Sequence, residues 1–230
     1  MNFTDLEKNL GFSFKNSELL KEALTHRSYL NEYKNQKIES NERLEFLGDA
    51  VLSFIVSSWL FEKFPDFPEG KLTSLRSGLV NTNALAKIGR ELKVGDYLLL
   101  SRGEKEAGGQ KNPTLLANTM EAIIGALFLD QKIEVVKAFI RNHFEGLLNE
   151  IISSGRLKDY KSLLQEKSQA KVGQSPTYKI IKEEGPEHNK TFTVKVIVGS
   201  QTPSQGVGKS KQKAEQEAAK KALENLGSKK

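Results

Sequence analysis

Along the first 155 positions apolar residues recur three and four apart, the spacing of one helix face, and no stretch alternates convincingly. Leu20, Ala23 and Leu24 predict a short helix that Ser17 is placed to cap. Residues 30–40 are polar and read as a loop. A long helix is predicted over residues 42–61 and is stopped by the prolines at 65 and 68. Another opens at Glu69-Gly70-Lys71 and buries Leu72, Leu75 and Leu79. Asn83 is the expected cap of the next, which runs out near Val94-Gly95-Asp96. Residues 101–112 carry three glycines and read as a loop. It lacks the Gly-Lys-Ser/Thr spacing of a phosphate-cradling loop, and no nucleotide cofactor is expected. Pro113 starts a helix to residue 130 in which Ile123, Ile124, Leu127 and Phe128 are apolar, while Gly125 and Ala126 allow close packing. A last helix over 131–152 places Val135, Val136, Phe139, Ile140, Phe144, Leu147 and Leu148 at helical spacing.

Past a short polar linker at 153–157 the period changes. A helix at 160–170 turns Leu163 and Leu164 inward and leaves Gln165, Glu166 and Gln169 outside, until Gly173 and Pro176 break it. Tyr178 and Ile180 lie in a predicted strand that turns at 185–188. Residues 191–198 then alternate, with Phe192, Val194, Val196 and Val198 on one face and Thr191, Thr193 and Lys195 on the other. A third strand is expected at 201–206. The final helix carries Ala214, Ala218, Ala219, Ala222, Leu223 and Leu226 on its core face.

Composition adds constraints. Of 230 residues, 37% are hydrophobic and 28% charged, the balance of a soluble globular chain. With no cysteine, disulfides and thiolate metal sites are excluded. Residues 1–10 lack the basic start and apolar run of a secretion signal. The longest apolar stretch, 50–61, is interrupted by Ser53, Ser57 and Ser58 and reads as too short for a bilayer. The expectation is a cytoplasmic protein with no membrane partner. Charge is divided unevenly: residues 156–230 hold sixteen Lys/Arg against eight Asp/Glu, a net +8, whereas residues 1–155 hold nineteen against twenty-one, a net −2. That split suggests chemistry in the first part and polyanion binding in the second. Lys209, Lys211 and Lys213, with Ser210 among them, sit where the last helix begins. Cations there oppose the helix dipole by roughly 0.3–1 kcal/mol each, so phosphate binding explains them better than stability does.

Candidate chemistry concentrates in the 42–61 helix. Glu42, Glu45 and Asp49, spaced i, i+3, i+7, share one face, with Leu44, Leu47 and Val51 roughly opposite. Like charges at this spacing destabilise by about 0.2–0.5 kcal/mol per pair. The face is therefore either simply solvated or offset by a cation, and oxygen-only ligands suit Mg²⁺ or Mn²⁺ rather than zinc. Asn118 and Glu121, i, i+3 on the later helix, offer a second pair of oxygens. Phe46 lies about 40° from Glu42 on the helical wheel and must bury against something outside its own core, a neighbouring domain or a partner subunit. His26, alone beside an apolar face, reads as a hydrogen-bonded core group rather than a ligand or base.

The run Asn41-Glu-Arg-Leu-Glu-Phe-Leu-Gly-Asp-Ala-Val51 resembles the signature stretch of the ribonuclease III family, and Asn118-x-x-Glu121 resembles its other half-site. One position departs: the family pattern usually has Asp where this chain has Asn118. The order helix–three strands–helix, with Gly-x-Gly-Lys-Ser-Lys before the last helix, resembles a double-stranded RNA-binding domain. The two resemblances span nearly the whole chain. They imply an all-α endonuclease and dimerisation domain over 1–152, a linker over 153–157 and an α+β (α-β-β-β-α) RNA-binding domain over 158–227. They also imply a homodimer that cuts double-stranded RNA with Mg²⁺, Mn²⁺ being the alternative ion. The products would carry 5′-phosphate and 3′-hydroxyl ends with short 3′ overhangs, and the targets would be structured precursors such as rRNA and mRNA. By resemblance Asp49 and Glu121 are catalytic, and Glu45, Asp49, Asn118 and Glu121 hold metal. Glu42 contacts substrate or supports the ligands, and Phe46 plugs into the partner subunit. Gln165, Glu166 and His188 meet minor grooves, and Lys209, Ser210, Lys211 and Lys213 meet phosphates. The rival expectation is a non-catalytic double-stranded RNA-binding dimer, inert for want of a charge at Asn118.

Overall fold

The computed structural model describes residues 3–33, 38–153, 160–186, 190–199 and 203–227. The chain divides into two compact units, 1–157 and 158–230.

The first unit is helical: α1 (Thr4–Leu10), α2 (Ser17–Ala23), α3 (Arg27–Glu32), α4 (Glu42–Lys63), α5 (Glu69–Val80), α6 (Thr82–Glu91), α7 (Arg102–Glu106), α8 (Pro113–Asp130) and α9 (Ile133–Ser153), with 3₁₀ turns at Val94–Tyr97 and Gly109–Lys111. The long elements follow the apolar period. The short ones depart from expectation, and their caps explain why. Asn16, not Ser17, caps α2, because it is the extended residue whose side chain accepts the Glu18 N–H at 3.1 Å. Asn81, not Asn83, caps α6 by accepting the Ala84 N–H at 3.0 Å. Residues 27–32 form a helix that takes in the first three residues of the loop expected at 30–40, since His26 Nδ1 accepts the Ser28 N–H. The expected loop at 101–112 contains α7, capped by Ser101 through the Glu104 N–H. Ser153, assigned to the linker, is the last residue of α9; residues 154–157 of that linker lie outside the described residues.

α8 forms the centre of the unit. Leu116, Met120, Ile123, Ile124 and Leu127 are buried, and α4 packs along it through Leu44, Val51, Leu52, Ile55, Val56 and Leu60. By length and composition α4 is long and apolar enough to cross a membrane, contrary to the expectation from residues 50–61; eight of its residues are buried, while Phe46, Phe54 and Phe61 are exposed. Two glycines set how closely α4 and α8 approach. A Cβ on Gly48 would lie 1.8 Å from the Glu121 carbonyl oxygen, and one on Gly125 would lie 2.3 Å from that of Leu44. The helices therefore touch backbone to backbone.

The second unit holds α10 (Tyr160–Val172), β1 (Thr177–Glu184), β2 (Thr191–Ile197), β3 (Ser204–Gly208) and α11 (Lys211–Gly227). The sheet is antiparallel in the order β1-β2-β3, with a register shift between Ile180 and Lys182. β3 lies later than the expected 201–206. Val196 and Val198 pack with Ala218, Ala219, Ala222 and Leu226 of α11 and with Leu164 of α10. Leu163, expected to turn inward beside Leu164, is 42% exposed.

Because the Gly125 Cβ position is occupied by backbone rather than by a movable side chain, Gly125→Ala should cost about 1–3 kcal/mol or more through overpacking. The same change at the open Gly146, where nothing lies within 4 Å, should be neutral or mildly stabilising. Chemical denaturation of both variants checks this, and equal stabilities would refute the backbone contact.

Candidate active site and nucleic-acid interface

The first turns of α4 are fixed before any charge is placed on them. The Asn41 N–H donates to Thr25 O at 2.9 Å, and its buried side-chain amide donates to Ala23 O at 3.3 Å. Thr25 in turn forms a parallel bridge with Leu99, through Leu99 N–H to Leu24 O at 2.9 Å and His26 N–H to Leu99 O at 3.0 Å. Leader, bridge and helix thus brace one another, and Glu42, Glu45 and Asp49 project from a rigid start.

Opposite them α8 presents Asn118 and Glu121. A cleft of about 370 Å³ opens here, with Glu42, Glu45, Asn118, Thr114 and Arg27 among its lining. Glu42 Oε2 accepts the Ser40 hydroxyl at 3.0 Å, while Oε1 lies 3.6 Å from the Arg27 guanidinium. Burial raises the Glu45 carboxyl above its ordinary range, the Asn118 side-chain hydrogen bond pulls it back, and the charges of Glu42 and Asp49 push it up again. Glu121 rises further, from 4.5 to about 7, through burial first and then repulsion from Asp49 and Glu45. His26 lies at the same cleft with its Nδ1 2.8 Å from Ser28 Oγ; burial lowers its pKa, the state of a neutral capping group.

Among the described residues no three of His, Cys, Asp and Glu are gathered closely enough to form a ready cation cage. The donor set nonetheless fits a hard divalent ion. It is oxygen-only, and burial together with the neighbouring Asp49 and Glu45 charges raises the Glu121 carboxyl to about 7. Asn118 uses its amide N–H on Glu45, which leaves its carbonyl oxygen as the atom to face a cation.

Sequence reasoning missed Arg27 and Thr114. Thr114 was legible, one turn before Asn118 on the same face of α8. Arg27 was not, because its contact with Glu42 crosses from one helix to another. Phe46 is 81% exposed, and with Phe54 at 64% and Phe61 at 72% it makes a bare aromatic stripe along α4 that the apolar period had hidden. Leu129 of α8 is also exposed.

In the second unit Gln165 and Glu166 stand exposed on α10, beside Ser162 and Gln169 around an open depression. Ser210 accepts the Lys213 N–H at 3.2 Å and so serves α11 as a cap. Lys209 Nζ donates to Thr191 Oγ1 at 3.2 Å, Lys211 lies 3.6 Å from Glu183, and Lys213 is exposed. His188 lies outside the described residues.

Residues 16–147 match the family pattern described as ribonuclease-III-like, and residues 160–226 match the double-stranded RNA binding motif. The chain is 44% identical to ribonuclease 3 of Oceanobacillus iheyensis over 98% of its own length and 99% of that protein. It is 46% identical to ribonuclease 3 of Geobacillus thermodenitrificans, over 97% and 91% respectively. The crystal structure of the nuclease domain of ribonuclease III from Campylobacter jejuni superposes with a TM-score of 0.58 at 43% identity, covering 63% of this chain and 95% of that one. A second structure of that nuclease domain is described as showing structural flexibility in a region involved in dimer formation.

The Glu121 shift fixes a pH dependence. In the unfolded chain the carboxyl loses its proton near 4.5 and in the folded protein only near 7, so across that window the folded state binds the extra proton and stability falls as pH rises. Partial exposure screens the effect to about 1–2 kcal/mol. In chelator, the drop in Tm between pH 5 and pH 8 should therefore be larger for wild type than for Glu121→Gln. Identical drops would place the charge burden elsewhere.

Proposed function

The chain belongs to the bacterial ribonuclease III family, endonucleases that bind and act on double-stranded RNA, and we propose that it hydrolyses structured precursor RNAs such as rRNA and mRNA precursors as a divalent-cation-dependent homodimer. The observation that carries this is the facing of Glu45 and Asp49 on α4 by Asn118 and Glu121 on α8, with negative charge left to be balanced. Glu45, Asp49, Glu121 and the Asn118 carbonyl would hold the cation, Mg²⁺ by its affinity for oxygen donors, with Mn²⁺ as the alternative. Bound there, a divalent cation supplies Lewis acidity, making water a nucleophile near neutral pH and offsetting charge on the departing oxygen. With that charge between them, Asp49 and Glu121 would flank the reacting phosphate from different helices and hold the attacking water in line, so that a water oxygen bonds to phosphorus as the P–O3′ bond breaks, leaving 5′-phosphate and 3′-hydroxyl ends. Glu42, held by Ser40 and Arg27, contacts the substrate at the cleft's edge.

The exposed stripe of Phe46, Phe54 and Phe61 supplies the dimer surface, each copy burying the other's aromatics about a two-fold axis. Two sites so related cut one strand each and produce short 3′ overhangs. The Campylobacter jejuni nuclease domain is described as having a region involved in dimer formation, which supports a homodimer here. Gln165, Glu166 and His188 would read successive minor grooves, and Lys209, Lys211 and Lys213 the phosphates between them, with Ser210 holding the helix end.

The alternative, a duplex-binding protein without cleavage, draws on the neutral Asn118. Labelled duplex RNA incubated with and without Mg²⁺ decides between them: cleavage only with the ion supports the enzyme, and binding without cleavage at any Mg²⁺ level refutes it. In single-turnover assays Asn118→Asp should lower the Mg²⁺ concentration required and change the saturated rate little. Glu121→Gln should abolish cleavage while leaving duplex binding intact; an unimpaired Glu121→Gln would show the site to be misplaced. Phe46→Ala removes an aromatic anchor of a kind typically worth about 2 kcal/mol or more. It should shift sedimentation toward monomer at low concentration, and a dimer persisting to nanomolar protein would exclude Phe46 as the anchor.

A further inference from the structure

A duplex whose phosphates approach this cleft meets Glu42 and Glu45 on its walls, with Asp49 and Glu121 close enough to Glu45 to add their charge. Coulomb repulsion from these carboxylates opposes that approach. Arg27 carries the one guanidinium or ammonium group among the described residues lining the cleft. Its backbone is held firmly: His26 N–H is bonded to Leu99 O, Ser28 Oγ accepts the Ser101 N–H at 3.1 Å, and the Glu32 carboxylate accepts the Arg102 N–H at 3.1 Å. Its side chain is not, being 73% exposed and 3.6 Å from Glu42 Oε1, a distance longer than a charge-assisted hydrogen bond. Glu42 is itself 57% exposed and has its other oxygen engaged by Ser40.

An exposed pair of this length contributes about 0–1 kcal/mol to stability and is readily exchanged. A phosphate offers the guanidinium two oxygens in the planar geometry it matches best. Resting on the reading of this cleft as the place where RNA is cut, we propose that Arg27 is a substrate-phosphate contact at the cleft mouth. Glu42 holds it in waiting, and it passes from carboxylate to phosphate as the duplex seats. The pair keeps a cation beside the acidic wall in the free protein without spending it on the fold. On seating, Glu42 is released toward the bound nucleotide at the moment Arg27 leaves it.

The test uses the full chain and a labelled RNA duplex in chelator, so that no cleavage intervenes, with affinity measured from 50 to 200 mM salt. Arg27→Ala should reduce the slope of log K against log salt by about one phosphate contact, so that the wild-type advantage shrinks about 3.5-fold across that range. Arg27→Lys should keep the slope, because it keeps the charge. Thermal unfolding should be unchanged in both, since an exposed pair carries little stability. Glu42→Gln should tighten binding when Arg27 is present and not when it is Ala. An unaltered slope in Arg27→Ala, or equal tightening by Glu42→Gln in both backgrounds, overturns the proposal. So does a Tm drop of several degrees without a slope change, which would make the pair structural. Because these readouts need no turnover, wild type that fails to cut in Mg²⁺ while the slope falls would refute the cleavage reading and leave this one standing.

Discussion

Two main chains in contact, at Gly48 and Gly125, set the geometry on which the catalytic half depends. The carbonyl against Gly48 belongs to Glu121, and the carbonyl against Gly125 belongs to Leu44, the residue before Glu45. The spacing between the Glu45/Asp49 and Asn118/Glu121 pairs is therefore dictated by backbone, not by the reach or rotamers of side chains. A Cβ at either glycine would part the helices by more than a side chain could restore. The surrounding core of α8, buried on nearly every side, resists the tilt that might otherwise compensate.

Holding carboxylates at a fixed separation has an electrostatic cost, and the structure distributes it. Glu121 takes the largest share, because it is the most enclosed and faces both Asp49 and Glu45. Glu45 is relieved by an N–H from Asn118, a donor that an ionised aspartate at the same place would lack. The neutral residue thus does two things: it withholds a charge from any bound cation, and it lowers the repulsion in the absence of one. A site so built is easier to fold and, under the proposed cation-dependent reading, would need more cation to fill. Glu42, farthest out, is eased by Ser40 and Arg27 instead.

The long elements were legible because burial imposes a period, and α4, α8, α9 and β2 each bury a face. The short helices α1, α3 and α7 span seven, six and five residues, too few to show a period, and they exist through caps and cross-chain bonds such as Ser101 N–H to Ser28 Oγ. Within α4, Phe46 stood out because it shares a face with acids. Phe54 and Phe61 lie in the apolar run 50–61, where nothing in the sequence separates them from their buried neighbours, and the packing leaves them bare. The acidic residues and Asn118 could be named from spacing and resemblance. The hydrogen bond from Asn118 to Glu45 and the Arg27–Glu42 pair could not, because each joins positions distant in sequence whose proximity only the helix crossing and the Thr25–Leu99 bridge create.

A common device links the two units. Lys211, at the start of α11, lies 3.6 Å from Glu183 across the sheet, and Arg27 lies 3.6 Å from Glu42 at the cleft. Both pairs are largely exposed, so each cation is oriented by its carboxylate and bound to it only loosely. Lysines free of any partner would wander and would pay more side-chain entropy on meeting a phosphate, about 1.5–2 kcal/mol for a long basic side chain at full immobilisation. A carboxylate neighbour removes part of that loss in advance, at the cost of a weak attraction that must be broken. Where the competing phosphate belongs to a duplex with many contacts, the exchange favours binding. Where it is an isolated anion, the carboxylate keeps its hold. If the proposed phosphate contacts form, discrimination for a long polyanion over small phosphates would follow from the weakness of the individual pairs rather than from the strength of any one contact.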